Sequence, residues 1–196
     1  MGKLYAFKPT SVPKQFQWAL NHCKANGPAI VREAFKLYGL KEIQGANHSE
    51  EILDMAAALG GVIEKFYTSD EIPWCGLAVS YWIKQAGFDP PKDYSQVRAR
   101  DFVSWGNPAS RPSFGDVLVF WRGSPAGRDG HVGLYIAEDK ESFYVLGGNQ
   151  GNEVNIARML KTRLLSARRC PWRVSQPAGV KPFLLNAGGA FSENEA

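Results

Sequence analysis

The sequence predicts an α+β fold in which a set of helices is followed by an antiparallel sheet. Up to about residue 105 the apolar residues recur at the spacing of helix faces, and from Asp116 onward they alternate as they do along strands. Hydrophobic residues make up 44% of the 196 residues, which is sufficient for a sizeable core. Because the helices precede the strands instead of alternating with them, a doubly wound parallel fold is not expected.

Glycine, proline and serine mark the predicted helix boundaries. Gly27 is suited to end one helix and Pro28 to begin the next, since glycine adopts the C-terminal cap conformation and proline needs no amide hydrogen in a first turn. Ser49 can cap a helix that two glycines then stop, and Pro73 can begin another. The predicted helices cover 13–26, 28–38, 49–59, 73–86 and a short piece at 96–105.

The second half of the chain predicts an antiparallel meander of about five strands. In residues 131–139, Val132 and Leu134 fall on one face while His131 and Gly133 fall on the other, as the period of two requires. The predicted strands cover 116–121, 131–139, 141–148, 152–158 and 163–169. The tail from about residue 175 is rich in Pro, Gly and Ala and is expected to wrap around the domain or to extend from it.

Charge and composition narrow the classes of partner. The formal net charge is +4 and the pI is about 9.0, which favours an anionic partner or simply a soluble surface. The basic residues concentrate in 158–170, a segment that also alternates like a strand, so these charges can form a solvated face. No basic and aromatic motif of a known kind accompanies them, and we therefore expect no nucleic-acid partner.

The sequence is also not typical of a membrane-spanning protein, a disulfide-stabilised domain or a zinc-binding protein. No apolar run approaches the length of a membrane span, and the N-terminus lacks the apolar core of a signal peptide, so we expect synthesis in the cytoplasm without membrane insertion. The three cysteines are an odd number, which argues against a disulfide framework. Neither a CxxC pair nor a histidine-rich spacing is present, so no metal site is predicted.

Cys75 is the first candidate for chemistry. It follows Pro73 and Trp74 at the predicted start of a helix, where backbone amide hydrogens and the helix dipole can lower the pKa of a thiol. The same amides could stabilise an oxyanion during attack on a carbonyl. The alternative is an inert core residue, which is the more common role of an isolated cysteine.

His131 and Asn149 are candidates for the partners of that thiol. His131 begins a predicted strand, and Asn149 follows the next strand, so an antiparallel register could bring them together. A side-chain oxygen of Asn149 could then accept from one imidazole nitrogen and orient the ring. The alternatives are a strand-end histidine in water and a turn asparagine after two glycines.

Five motifs in order give a resemblance to a known family. The sequence resembles the NlpC-type and CHAP-type cell-wall peptidases, which share a papain-like fold, and most closely a phage and bacterial subgroup with PWC, GHVG and LGGNQ motifs. The match covers about residues 36–173. The motifs read KEIQGANHSEEIL (41–53), DEIPWCGLAVSYW (70–82), GDVLVF (115–120), GHVGLY (130–135) and VLGGNQGNEVNIAR (145–158).

The resemblance implies a cysteine peptidoglycan hydrolase without metal or cofactor. Cys75 would be the nucleophile, His131 the general base and then acid, and Asn149 the residue that orients the imidazole. The reaction would pass through an acyl-enzyme, and the enzyme would be either an endopeptidase or an N-acetylmuramoyl-L-alanine amidase.

Further residues of the motifs are candidates for substrate binding. Asp70 or Glu71 is expected to meet a substrate amine, or else to act as an acidic residue favoured near a helix start. Trp74 also matches the nucleophile motif. Gln150 is a candidate for the edge of the cleft, with an ordinary surface glutamine as the alternative.

The resemblance divides the chain and leaves a second class of function open. Residues 1–35 form a helical lead-in, 36–173 the catalytic domain and 174–196 the tail. The alternative function is a non-catalytic phage or secretion-system module on the same fold. A monomer that reaches peptidoglycan through phage lysis, virion packaging or secretion is expected, and an injected toxin would require a paired immunity protein.

Overall fold

Helices come before a six-stranded antiparallel sheet in the part of the chain that the computed structural model describes, residues 8, 10–172, 174–186, 188 and 190–192. The predicted α+β class is therefore confirmed. The α-helices are α1 (Gln17–Ala25), α2 (Ala29–Phe35), α3 (Glu50–Leu59), α4 (Gly61–Phe66) and α5 (Cys75–Gln85). The strands are β1 (Asn107–Pro108), β2 (Val117–Trp121), β3 (Gly130–Glu138), β4 (Ser142–Gly147), β5 (Asn155–Leu160) and β6 (Leu164–Arg169).

Local capping sets most of the helix boundaries. Ser49 caps α3 by accepting from the amide of Ile52 at 3.4 Å, as its position predicts. Gly60 ends that helix at a φ of 76°, a conformation that favours glycine. The short helix α4 follows at once and was not predicted, because two successive glycines are typical of a longer stop. The short helix predicted at 96–105 is instead a pair of 3₁₀ segments, Asp93–Gln96 and Ala99–Ser104.

The sheet is not the simple meander that the sequence predicts. Its strand order is β1-β6-β2-β3-β4-β5, so β6 pairs with β2 rather than with β5. The edge strand β1 was not predicted, since two residues carry no periodic signal. A side chain of β6 helps to hold β1 beside it. The guanidinium of Arg168 in β6 donates to the carbonyl oxygens of Trp105 and Gly106, directly before β1, at 2.6 and 2.7 Å.

The basic segment 158–170 is largely used in contacts within the fold. Arg169 forms a bidentate pair with the buried carboxylate of Asp116, at 2.9 and 2.8 Å. Arg158 pairs with Asp139 at 2.8 Å. These guanidinium groups are bound to this chain's own carboxylates, and the segment is not a free cationic face.

Helix α5 lies at the centre of the main core. It packs against α2, α3 and β3, and the side chains of Leu77 and Trp82 are fully buried. Burial of a side chain of this size contributes about 2 to 3 kcal/mol to the free energy of unfolding. The helix therefore holds its first residue, Cys75, in a fixed position against the sheet.

The core extends beyond the predicted limits of the catalytic domain. Phe16, Cys23 and Ile30 from the N-terminal helices belong to the same buried cluster as α5. In the tail, the backbone of Phe183 accepts from the amide of Glu138 at 2.9 Å, so this described part of the tail wraps along the sheet. None of the described helices combines the length and the apolar character that crossing a membrane requires.

Candidate active site

The structure places Cys75 at the N-terminus of α5, as its position after Pro73 predicts. Trp74 is the N-cap residue, and Cys75 is the first residue of the helix. The backbone amides of Val132 in β3, of Gly76 and of Cys75 itself donate toward the sulfur. The sulfur thus lies between the start of α5 and the first residues of β3, and the amide that it contacts in β3 belongs to the residue after His131.

Burial decides the protonation state of this thiol. Burial raises the pKa of Cys75, whereas the three backbone amides and the positive charge of Arg122 lower it, and the net result is a pKa above the ordinary value. The lowering expected at a helix N-terminus is therefore present but outweighed. Only 5% of the residue is exposed, so the free protein holds a neutral thiol at neutral pH.

We expect iodoacetamide to alkylate Cys75 progressively faster as the pH rises from about 6 to about 10, because only the thiolate attacks and a raised pKa keeps the thiol protonated at the lower end. Mass spectrometry of the peptide containing Cys75 measures the rate. Cys23 and Cys170 are internal references, since burial raises their pKa values to about 11 and about 12. A rate that is already at its plateau below pH 8 would contradict the expectation.

The imidazole of His131 is held by Gln150. The ring is fully buried, and its Nε2 lies 3.2 Å from the side-chain oxygen of Gln150. The amide nitrogen of Gln150 donates to the carbonyl of Asn155 at 2.8 Å and of Val145 at 3.2 Å. Because carbonyls only accept, the glutamine oxygen must face the imidazole, so Nε2 carries the hydrogen and Nδ1 is the basic nitrogen of the neutral ring.

The hydrogen bond that was predicted for Asn149 is thus made by its neighbour. The side-chain oxygen of Asn149 is buried and has no hydrogen-bond partner among the described residues. Asn149 adopts the left-handed conformation, with a φ of 57°, in the turn after β4. Gly147 makes room for the contact, since a Cβ there would lie 2.7 Å from the oxygen of Gln150 and 3.1 Å from Nε2 of His131. Gln150 was predicted at the edge of the cleft, but its side chain is buried and contacts His131 instead.

Trp74 lies inside the protein rather than in a substrate cleft. It is fully buried, and its indole nitrogen donates to the carboxylate of Glu42 at 3.2 Å. Its ring fills the space beside Gly148, where an added Cβ would lie 2.7 Å from the indole. The substrate contact predicted for Trp74 is not supported by this position, which makes the indole part of the packing around the nucleophile.

Glu42 connects the two halves of the site, and no sequence signal in its own motif predicted this. Its carboxylate accepts from Trp74, and its amide donates to the carbonyl of Asn152 at 3.0 Å. The amide of Gln150 donates to the carbonyl of Glu153 in the same turn, at 3.0 Å. A single segment therefore holds both the residue before Cys75 and the turn that carries the partner of His131.

Asp70 has a structural position that leaves no oxygen for a substrate amine. Its carboxylate is fully buried and accepts from the amides of Ile43 and Ser49, both at 2.8 Å, and from Nδ1 of His48 at 3.0 Å. Burial alone would raise the pKa of Asp70, but these hydrogen bonds outweigh it and the pKa lies below its ordinary value. Of the two acidic candidates, only Glu71 is exposed.

Asp70→Asn is expected to lower the free energy of unfolding at pH 7 by about 3 kcal/mol. The asparagine side chain carries no negative charge, and its NH2 group would face buried groups that donate to the carboxylate of Asp70. Because the pKa of Asp70 is lower in the folded protein, its ionised carboxylate stabilises the fold at pH values above the unfolded pKa of about 3.9. This contribution disappears as the pH falls through the pKa of the folded protein. The difference between the two proteins in urea unfolding should therefore shrink progressively as the pH falls below about 3.9.

Glu71→Gln is the matched control for this measurement. Glu71 is adjacent in sequence but exposed, so its substitution should change the free energy of unfolding by less than about 0.5 kcal/mol. Equal losses in the two variants at pH 7 would argue against the role assigned to Asp70.

A cleft of about 640 Å³ gives access to the nucleophile. It is lined by Pro73 and Cys75 and by two walls, residues 97–101 and 127–130. Gly76 lets the first wall approach the start of α5, since an added Cβ would lie 2.6 Å from the carbonyl carbon of Val97. Tyr67, which the sequence did not single out, donates from its hydroxyl to the carbonyl of Pro73 at 2.8 Å and supports the turn before Cys75.

No group of three or more His, Cys, Asp or Glu residues that could hold a metal occurs within the described parts of the chain. A scan against protein-family models gives no match, and a search of curated proteins finds no relative.

Proposed function

We propose that the protein is a cysteine amide hydrolase of papain-like fold that cleaves peptides of the bacterial cell wall. The observation that carries this proposal is the position of the Cys75 sulfur, which lies at a helix start and accepts from the amide of Val132, the residue after His131. The ring of His131 is in turn oriented by Gln150. The substrate class follows from the resemblance of residues 36–173 to cell-wall peptidases.

The mechanism begins from the neutral thiol and imidazole. Nδ1 of His131 takes the thiol proton of Cys75 as the sulfur attacks the carbonyl carbon of the substrate amide. The backbone amides that face the sulfur stabilise negative charge as it develops. The C–N bond then breaks, the amine leaves with the proton held by His131, and an acyl group remains on the sulfur.

Water completes the reaction. His131 takes a proton from water, the resulting hydroxide attacks the thioester carbon, and the C–S bond breaks as the proton returns to the sulfur. Gln150 keeps Nε2 protonated throughout and positions Nδ1 for both transfers. The bond that is cleaved is either one between two amino acids of the stem peptide or the one between lactyl group and L-alanine.

A non-catalytic wall-binding or assembly module is the second candidate. The raised pKa and the small exposure of Cys75 favour it, because an inert buried cysteine has both properties. In either case peptidoglycan is the proposed partner, reached through phage lysis, virion packaging or secretion, and a secreted toxin would have an immunity protein.

Digestion of purified peptidoglycan tests the choice between the two. We expect soluble fragments whose masses and new amino groups, read by mass spectrometry, identify one amide bond. Pre-treatment with iodoacetamide should stop their release and EDTA should not. Fragment release that continues after complete alkylation of Cys75, or no release by the untreated protein, would contradict the proposal.

A further inference from the structure

The cleft beside Cys75 carries an arginine on each of its two walls. Arg98 belongs to the wall 97–101 and Arg128 to the wall 127–130, and both side chains are exposed. Arg98 lies 5.9 Å from the ring of Tyr94, and within the described residues neither arginine is bound to a carboxylate. Two guanidinium groups without an acidic partner thus face the space in front of the nucleophile.

The distance between the two walls is held by a third arginine. Arg100 donates to the backbone carbonyls of Ser124, Pro125 and Asp129, at 2.8, 2.9 and 2.8 Å. Gly130 permits this close approach, since an added Cβ would lie 2.9 Å from the side chain of Arg100. The donors of Arg100 are therefore engaged within the fold, and its three hydrogen bonds fix the two walls relative to each other.

Positive charge predominates around this cleft. The carboxylates on its walls are Asp101, which accepts from the hydroxyl of Ser95 at 2.7 Å, and Asp129. Arg122 adds a further positive charge, which is close enough to lower the pKa of the Cys75 thiol. Asp70, which could have attracted an amine, is buried outside the cleft lining.

We propose that Arg98 and Arg128 form a carboxylate-binding subsite, so that the cleft takes peptides with an acidic group close to the amide presented to Cys75. Guanidinium groups bind carboxylates through paired hydrogen bonds, and two of them on the walls of one cleft favour an anionic ligand over a neutral one of equal size. The description of this ligand as part of a substrate rests on the proposed function. The preference for a carboxylate beside Cys75 is independent of the proposed function.

The test compares two alkylating reagents that differ mainly in charge. Iodoacetate carries a carboxylate, whereas iodoacetamide is its neutral counterpart, and both react with the same thiolate. We expect the ratio of their alkylation rates at Cys75, at low ionic strength, to exceed the ratio for N-acetylcysteine by about 3- to 10-fold, the effect of one or two cations at cleft distances. The ratio cancels any change in the pKa of Cys75, because both reagents depend on it equally.

Arg98→Gln/Arg128→Gln should bring the ratio close to that of N-acetylcysteine, and about 0.5 M salt should reduce it in the wild-type protein. Lys65→Gln/Lys140→Gln is the control of equal net charge, since both lysines are exposed and lie outside the cleft lining, and it should keep the wild-type ratio. A wild-type ratio equal to that of N-acetylcysteine, or one that the double arginine variant leaves unchanged, would overturn the proposal, as would a thiol that neither reagent labels.

This measurement is independent of hydrolysis. If the ratio behaves as expected but no peptidoglycan is cleaved, the subsite stands and the proposed function fails. If peptidoglycan is cleaved and the ratio is that of a free thiol, the proposed function stands and the subsite is wrong. When both hold, the double arginine variant should raise KM for peptidoglycan fragments more than it lowers kcat.

Discussion

Replacement of Cys75 by alanine is expected to reduce fragment release from purified peptidoglycan by roughly 10³-fold or more, to the level of buffer alone, because no other group in the site can form the acyl intermediate. The rate is measured from soluble fragments over time. The substitution removes a single sulfur atom from a buried side chain, so it should lower the free energy of unfolding by only about 1 to 2 kcal/mol and leave the variant folded at the assay temperature.

Cys23→Ala and Cys170→Ala are matched controls for this loss. Both side chains are buried cysteines like Cys75, but neither lines the cleft. They should lower stability to a similar or greater extent and leave the rate of fragment release within about twofold. A Cys75→Ala protein that cleaves peptidoglycan at the wild-type rate would show that the nucleophile has been assigned wrongly.

Replacement of Gln150 by alanine should lower kcat by about 10²-fold with little change in KM, because the imidazole loses the acceptor that fixes its tautomer and orientation. The carbonyls of Val145 and Asn155 also lose a donor, which should cost about 1 to 3 kcal/mol of stability. Activity is therefore measured at a temperature at which thermal unfolding shows the variant to be fully folded. Loss of kcat without a change in KM separates ring positioning from a general loss of folded protein.

Asn149→Gly distinguishes the two candidates for the residue that orients His131. Glycine suits the φ of 57° at this position, so the substitution removes the side chain without backbone strain. If Gln150 is the orienting residue, Asn149→Gly should keep kcat within a few fold of wild type. A larger loss of kcat in Asn149→Gly than in Gln150→Ala would return that role to Asn149.

Features that depend on neighbours in the chain were predictable from the sequence. Helix α3 begins at its serine cap and ends at a glycine, and α5 begins after the Pro-Trp pair, because caps and first turns are set by residues within a few positions. The helices-then-strands order, and hence the α+β class, follows from the change of apolar period near Asp116. The position of Cys75 at a helix start was predictable for the same reason.

Features that depend on distant contacts were decided only by the tertiary structure. Asn149 and Gln150 are adjacent and both can accept a hydrogen bond, and it is the anchoring of Gln150 by Asn155 that brings its oxygen to His131. Asp70 was a candidate for binding a substrate amine, but its carboxylate accepts from the amides of Ile43 and Ser49, 27 and 21 residues away in sequence. The sequence by itself determined most of the helices and strands and the residue types at the site. Long-range hydrogen bonds and burial determined the strand order and which of those side chains meet, because neither leaves a local pattern in the chain.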